Sequence, residues 1–229
     1  LGKGLAIAGT AAATAVGTMV AKSVSSFADY EQLTGGVDTL FKDSSAAVQK
    51  YANDAYKTAG LSANNYMETV TNFSASLISS LKGDTAKAAD YANSALVDMA
   101  DNANKMGMTD IQNAYQGFAK QNYTMLDNLK LGYGGTQAEM KRLLGDAQKL
   151  TGQKYDISSF ADITQAIHAI QTQMDITGTT AKEASTTISG SWGSLKAAFQ
   201  NVLVGLTTGE DMFDQSLDAL INTAVTFGQ

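Results

Sequence analysis

The sequence has no cysteine and no proline, and its only histidine is His168. Without cysteine the chain can form neither disulfides nor a thiolate zinc site, and a single histidine excludes a histidine-based metal cluster. Proline is the residue that most strongly interrupts helices, so its absence favours long, uninterrupted helices. We therefore expect helical structure and no metal or other cofactor.

Positive charge is also scarce. The chain has 16 Lys+Arg against 22 Asp+Glu, for a net charge of -6. Proteins that bind nucleic acid along their surface need clustered basic side chains to neutralise phosphates. The composition therefore disfavours specific nucleic-acid binding.

The uncharged stretch Gly4–Ala21 is the nearest approach to a membrane span, at the lower edge of the roughly 20 residues that a bilayer requires. It is rich in alanine and threonine, and small residues recur four apart at Gly9, Ala13 and Gly17, which allows helices to approach closely. Two interpretations stay open: a small-residue helix packed inside a bundle, which we favour, and a membrane-active helix. Because the chain opens at Leu1, we expect a segment of a longer polypeptide.

The remaining sequence predicts a succession of amphipathic helices. Apolar residues recur at spacings of three and four, with Ser, Thr or Asp before many of these runs and Gly after them. No stretch alternates with period two for long enough to predict a strand. The predicted fold class is all-α, a multi-helix bundle of amphipathic helices joined by short Gly-rich turns.

Capping residues and glycines predict the helix boundaries. A first break falls at Gly35-Gly36, and the segment Tyr123–Leu131 is predicted to be helical. Residues 132–135, Gly-Tyr-Gly-Gly, form the strongest predicted break. The predicted helix starts are Asp43 or Ser44, Ser62, Asp84, Thr109 or Asp110, Ser159, and two capping boxes, Thr136 with Glu139 and Thr180 with Glu183.

The apolar face of each predicted helix is expected to point into the core. The plentiful Tyr and Met residues lie at helical spacing, so we expect them to serve core and interface packing. Near the C-terminal ends of their helices, the residues assigned to the apolar faces include Leu150, Met174 and Phe199.

His168 is the first candidate for chemistry, and we expect it to face solvent. It lies well away from the stripe formed by Ile163, Ile167 and Ile170, and the acids near it in sequence are too loosely spaced to indicate a catalytic pair. We therefore do not assign it a catalytic role.

Paired carboxylates one helical turn apart occur twice, at Asp98 with Asp101 and Asp214 with Asp218. Such pairs can act in acid/base catalysis, but without a recognisable partner we interpret both as solvated helix faces. The Gly-rich residues 132–135 precede a helix start, where backbone N–H groups could bind an anion. They lack the lysine of a P-loop, so we interpret them as a helix-linking turn. We expect no catalytic, cofactor-binding or metal-binding residues and no enzymatic activity.

A resemblance to a known family rests on long, ordered strings between Phe27 and about Leu206. These strings are Tyr30–Val37, Thr39–Phe41, Ala59–Asn64, Met99–Gly107, Ala114–Tyr123, Leu126–Thr136, Gly178–Ala184 and Gly190–Trp192. In these stretches the chain resembles tape-measure proteins of long-tailed phages and prophages of Gram-positive bacteria. The resemblance divides the chain into an apolar small-residue helix (1–26), the helical tape-measure region (27–206, with a candidate break at 132–135) and the start of a following helical segment (207–229).

The resemblance implies a virion structural protein, made in the host cytoplasm, that lies in the tail lumen in several copies. Such a protein sets tail length during assembly and leaves the tube when DNA is ejected. The implied partners are tail-tube and tail-tip proteins, tail assembly chaperones and further copies of the chain, with contact to the host membrane through residues 4–21. A ruler needs a fixed length per residue, which an α-helix supplies at about 1.5 Å. The many glycine breaks instead predict a compact helical module attached to a ruler.

Two other interpretations stay open. A membrane-perforating or pore-forming helical protein is the main alternative, because an apolar stretch precedes amphipathic helices. A cell-wall lyase is disfavoured, because the sequence shows no acid and nucleophile set that can be assigned.

Overall fold

A computed structural model describes residues 25–186, 196–205, 214, 216–218, 220 and 221, without the side chains of 104–106 and 184–186. The predicted helix at 4–21 and most of the segment 207–229 lie outside the described residues. Within the described ranges the chain folds into helices that pack on one another and contains no strand, which confirms the all-α class. None of the helices in this part of the chain is long and apolar enough to cross a membrane.

From residue 25 to Thr186, short turns and one longer loop connect the helices. In chain order they are α1 (25–41), α2 (Ser45–Thr58), α3 (Ala63–Ser80), α4 (Thr85–Met106), α5 (Met108–Ala119), α6 (Gln137–Thr151), α7 (Phe160–Gln173), α8 (Thr179–Thr186) and α9 (196–205). Short 3-10 helices occupy Lys42–Ser44 and Leu126–Leu129.

Helix α4 lies at the centre of the fold. It packs against α2, α3, α5, α7 and α8, and one continuous apolar cluster extends from Val37 on α1 to Ile176 after α7. Residues on both sides of the loop at 132–135, such as Leu131 and Met140, belong to this same cluster. The largest side chains with no exposure include Tyr66, Tyr115, Met67, Met99 and Met140, which confirms for these residues the predicted packing role of Tyr and Met.

Four predicted helix starts carry the predicted side-chain caps. The Ser62 hydroxyl accepts from the Asn65 N–H at α3, and the Asp84 carboxylate accepts from the Lys87 N–H at α4. Thr136 and Ser159 accept in the same way at α6 and α7. The reciprocal bond of the predicted capping box is absent, because the Glu139 carboxylate accepts from the Gly134 N–H and the Thr136 N–H donates to the Gly134 carbonyl. Each cap satisfies an N–H group that the helix itself leaves without a partner.

The predicted break at Gly35-Gly36 is wrong, because both glycines lie inside α1. Val37 and Phe41, one turn apart on this helix, are fully buried. Burial of two such side chains exceeds the roughly 1 kcal/mol by which a glycine weakens a helix. The chain turns instead at Lys42, which has a φ of 50°. Ser44 precedes α2 but makes no side-chain cap.

The segment Tyr123–Leu131 was predicted to be helical, and only Leu126–Leu129 forms a 3-10 helix. Gln121 (φ 59°) ends the preceding helix, and Asn122 N–H donates to the Gly117 carbonyl. Four apolar side chains nevertheless point into the core: Tyr123, Leu126, Leu129 and Leu131. The spacing of apolar residues in this segment therefore predicted the burial of the side chains correctly and the conformation of the backbone incorrectly. Similarly, α5 begins at Met108, directly after Gly107, and not at Thr109 or Asp110.

Three residues assigned to apolar faces are exposed. Leu150 is 47% exposed, Met174 45% and Phe199 42%. Leu150 lies in the last turn of α6, and Met174 lies just after the end of α7. Both therefore continue the apolar face of their own helix beyond the part that packs against neighbouring helices. For Phe199 the described residues offer no comparable explanation.

Candidate functional site

Polar side chains of α4 are buried where α7 ends and α8 begins. Asp98 is 0% exposed, Asp101 2% and Asn102 1%. The prediction that Asp98 and Asp101 form a solvated face is therefore wrong. The physical reason is that α4 is enclosed by several helices, so the side of α4 that carries these acids does not reach water. Asp214 and Asp218, by contrast, are exposed as predicted.

Asp98 binds His168 and the turn that follows α7. The His168 ring places Nδ1 2.9 Å and 3.0 Å from the two carboxylate oxygens of Asp98. The Thr177 hydroxyl donates to Asp98 Oδ1 over 3.2 Å. The His168 side chain is 38% exposed, so the prediction that it faces solvent holds for one part of the ring only. The other part faces a buried carboxylate.

Asp101 caps α8 from a different helix. Its Oδ2 accepts from the Gly178 N–H over 2.6 Å, and its Oδ1 accepts from the Thr180 N–H over 2.8 Å. The first N–H groups of a helix have no partner within it, and they favour a negative charge. The helix α8 begins at Thr179, one residue before the predicted capping residue Thr180, and the Thr180 N–H donates to Asp101.

The charges of this cluster are coupled. Burial raises the pKa of Asp98 above its usual range, although the hydrogen bond from His168 opposes this shift. The hydrogen bond to Asp98 raises the pKa of His168 above 6.5, while partial burial opposes it. The protonated imidazole is therefore placed to balance carboxylates that water does not reach.

Further polar groups extend the cluster into the core. Asn102 Nδ2 donates to Gln171 Oε1 over 3.2 Å, which joins α4 to α7. Among the described residues, Asn102 Oδ1, Gln171 Nε2 and the Tyr115 hydroxyl are buried without a hydrogen-bond partner. Burial raises the pKa of Tyr115 well above 10, and the charge of Asp98 acts in the same direction. Tyr115 therefore stays neutral.

The Asp98–His168 pair has the arrangement with which hydrolases orient a catalytic imidazole. Catalysis in such enzymes also needs a nucleophile at the other ring nitrogen, Nε2. The hydrogen bonds described for His168 use Nδ1 alone. In the described ranges no group of three or more His, Cys, Asp or Glu side chains is placed to hold a metal ion. The described contacts instead attach the start of α8 to α4.

The Gly-rich loop at 132–135 binds a carboxylate of its own helix. The Gly134 N–H donates to Glu139 Oε2 over 3.0 Å, and Arg142 donates to both Glu139 oxygens, over 3.0 Å and 2.6 Å. Arg142 also donates to the Gly132 carbonyl and lies 4.3 Å from the centre of the Tyr133 ring. This geometry agrees with a helix-linking turn, since Glu139 occupies the position that an external anion would take.

The sequence contained no local signal for the buried cluster. At about 100° per residue, the apolar residues around Asp98 and Asp101 cover only about 140° of the helix: Ala95, Leu96, Met99, Ala100 and Ala103. The two acids lie on the other side, which is the pattern of an ordinary amphipathic helix with a solvated polar face. Their partners Thr177 and Gly178 lie more than 70 residues away in the chain.

No family model matches this chain, and no curated protein or solved structure shows significant similarity to it.

Proposed function

We propose that this chain is a compact helical module of a phage tail tape-measure protein. Its role is structural and not enzymatic: it takes part in tail assembly and DNA ejection as a segment of the protein that sets tail length. The proposed partners are tail-tube and tail-tip proteins, assembly chaperones and other copies of the chain in the tail lumen.

The positions of the resembling strings support this proposal. Ala59–Asn64 contains the turn between α2 and α3, where Gly60 has a φ of 64°, and the first residues of α3. Met99–Gly107 contains the buried Asp101 and ends at Gly107, with a φ of 90°. Leu126–Thr136 forms the loop before α6. The strings therefore include positions at which this fold restricts the residue, so the resemblance concerns more than composition.

The compact packing of the helices supports a module rather than the ruler itself. The longest helix with defined ends, α4, has 22 residues and therefore spans about 33 Å. It is surrounded by neighbouring helices of the same chain. A ruler needs helices that continue over hundreds of ångströms, so within the proposed protein the length-setting segments lie outside the described residues.

In-frame deletion in the phage or prophage that encodes the chain tests the proposal. Deletions of about 100 residues are made in helical stretches outside this segment, and tail length is measured by electron microscopy. The proposal predicts tails shorter by about 150 Å, because each helical residue contributes about 1.5 Å.

A matched insertion separates the module from the ruler. A short insertion in the exposed turn after Gly152, between α6 and α7, leaves tail length unchanged if the module is compact, whereas an insertion of equal length in the ruler lengthens tails. Tails unaffected by every deletion would contradict the tape-measure role and favour the pore-forming alternative, which dye release from liposomes would then test.

A further inference from the structure

The attachment of α8 differs from that of the other helices. Among its described side chains, at residues 179–183, none is buried. The start of α8 is instead fixed by hydrogen bonds from Gly178 and Thr180 to the buried Asp101, and by Thr177 to the buried Asp98. Polar contacts to two carboxylates therefore contribute much of the attachment of α8 to α4.

His168 is the cation that contacts Asp98, with its Nδ1 2.9 Å from Asp98 Oδ2. On α4 its charge interacts with Asp98 and Asp101, and from α5 the neutral Tyr115 also faces Asp98. The described charged residues of α8, Lys182 and Glu183, are exposed. The net charge of the buried cluster therefore depends on whether the His168 ring holds its second proton.

We propose that α8 is a detachable element and that the charge of His168 sets its attachment to α4. With the imidazole protonated, the cluster contains a cation beside Asp98 and Asp101. When the ring loses that proton, the two carboxylates stay buried one helical turn apart and lose the charge of the imidazolium beside them, which is unfavourable in a medium of low dielectric constant. Detachment of α8 admits water to both carboxylates. The side chains described for α8, at 179–183, are not buried, so their release removes none from the core, and we expect the helices around α4 to stay folded.

The direction of the pH effect follows from the contact of His168 with Asp98. The hydrogen bond to Asp98 raises the pKa of His168 above 6.5. These two residues lie on α7 and α4 and stay in contact when α8 detaches, but detachment returns water to the carboxylates and weakens their attraction for the imidazolium. Attachment of α8 therefore raises the pKa of His168 further, and this contribution is lost as the pH rises through the pKa of the attached state. Burial raises the pKa of Asp98, so a fall in pH favours its neutral form. Release is thus expected on the alkaline side of the His168 transition. The inference does not depend on the proposed function in a phage tail.

Hydrogen–deuterium exchange of the full chain tests the proposal. Protection factors, corrected for the intrinsic pH dependence of exchange, are compared between about pH 6, below the ordinary pKa of histidine, and about pH 9. We expect protection of the 177–186 amides to fall by about tenfold for each pKa unit by which attachment raises the value. Amides of α3 should keep their protection. Parallel loss of protection in α3 and α8 would overturn the proposal, because it would indicate global unfolding.

Two variants identify the responsible groups. His168→Asn keeps an N–H donor towards Asp98 but cannot ionise, so protection of 177–186 should no longer change with pH. Asp98→Asn removes one buried charge and should keep α8 protected at alkaline pH. The exposed Asp214→Asn is the matched control and should reproduce the parent profile. The proposal is wrong if the fall in protection persists in His168→Asn, or if Asp98→Asn does not reduce it.

Discussion

The starts of α6 and α8 are both stabilised by carboxylates, but from different distances. At α6, Thr136 and Glu139 belong to the capping region itself, and Glu139 is also bound by Arg142 one turn further on. At α8 the carboxylate is Asp101, which precedes Gly178 by 77 residues and is 2% exposed. The first arrangement orders a local turn, whereas the second joins two helices.

The exposed cap of α6 and the buried cap of α8 differ in whether water can replace a lost carboxylate. If an exposed cap is lost, water can hydrate the N–H groups that it leaves, and surface charges are screened by salt. A buried carboxylate has no such substitute, and its loss leaves N–H donors without a partner. The same chemistry therefore contributes more to stability at α8 than at α6, provided that α8 remains attached.

Removal of the buried cap should have the largest effect. Asp101→Ala leaves the Gly178 and Thr180 N–H groups without an acceptor, and we expect it to lower the free energy of unfolding by about 1–3 kcal/mol. Urea denaturation followed by circular dichroism measures the change. The exposed Asp218→Ala should stay within about 0.5 kcal/mol of the parent. Equal effects of the two substitutions would remove the distinction between buried and exposed carboxylates.

The loop before α6 also has a steric requirement, at Gly135. A Cβ atom at Gly135 would clash with the Thr124 carbonyl oxygen, so Gly135→Ala forces a backbone shift. We expect a loss of about 1–3 kcal/mol in thermal or urea unfolding. Gly145, inside α6, has no atom within 4 Å of such a Cβ. Gly145→Ala should therefore stabilise the protein by about 0.5–1 kcal/mol. This assignment is wrong if both substitutions raise the free energy of unfolding or if both lower it.

The local cap of α6 should contribute less than the buried one. Thr136→Ala removes the acceptor of the Glu139 N–H, and we expect a loss of about 1 kcal/mol in urea unfolding. Thr136→Ser keeps a hydroxyl at the same position and should restore most of the stability. If serine and alanine behave alike, the hydroxyl does not act as a cap.

The smallest effect concerns the charge of Glu139. Hydrogen bonds from Arg142 and then from Gly134 lower the pKa of Glu139 from 4.5 to about 2. Its contribution is therefore present above 4.5 and is lost as the pH falls through about 2. Titration of the Glu139 carboxyl by NMR should give this low value, and Arg142→Gln should move it back towards 4.5. A value near 4.5 in the unsubstituted chain would show that the Arg142 contact is not formed in solution.

Sequence patterns predicted most of the local structure of this fold. The caps Ser62, Asp84, Thr136 and Ser159 lie within three residues of the N–H groups that they bind, so a single stretch of sequence contains both partners. Contacts of this kind depend on local geometry alone. The all-α class followed from the same patterns together with the absence of proline.

The buried cluster was missed because its partners meet only through tertiary packing. Asp98 and Asp101 have the spacing of a solvated pair, and nothing in their own stretch of sequence identifies His168 or Gly178 as partners. The error at Gly35-Gly36 has a related cause, since burial of Val37 and Phe41 against other helices decides the local conformation. Periodicity indicates which side chains are apolar, but it does not say how many neighbours surround a helix.

Small-angle X-ray scattering of the full chain tests whether these helices form one compact module. A compact module should have a radius of gyration close to that of a folded domain of this length, about 17 Å, and somewhat more if residues outside the described ranges extend from it. A continuous helical ruler of the same length would instead give a rod with a maximum dimension of roughly 340 Å. A rod-like profile would show that the helices do not pack into one module.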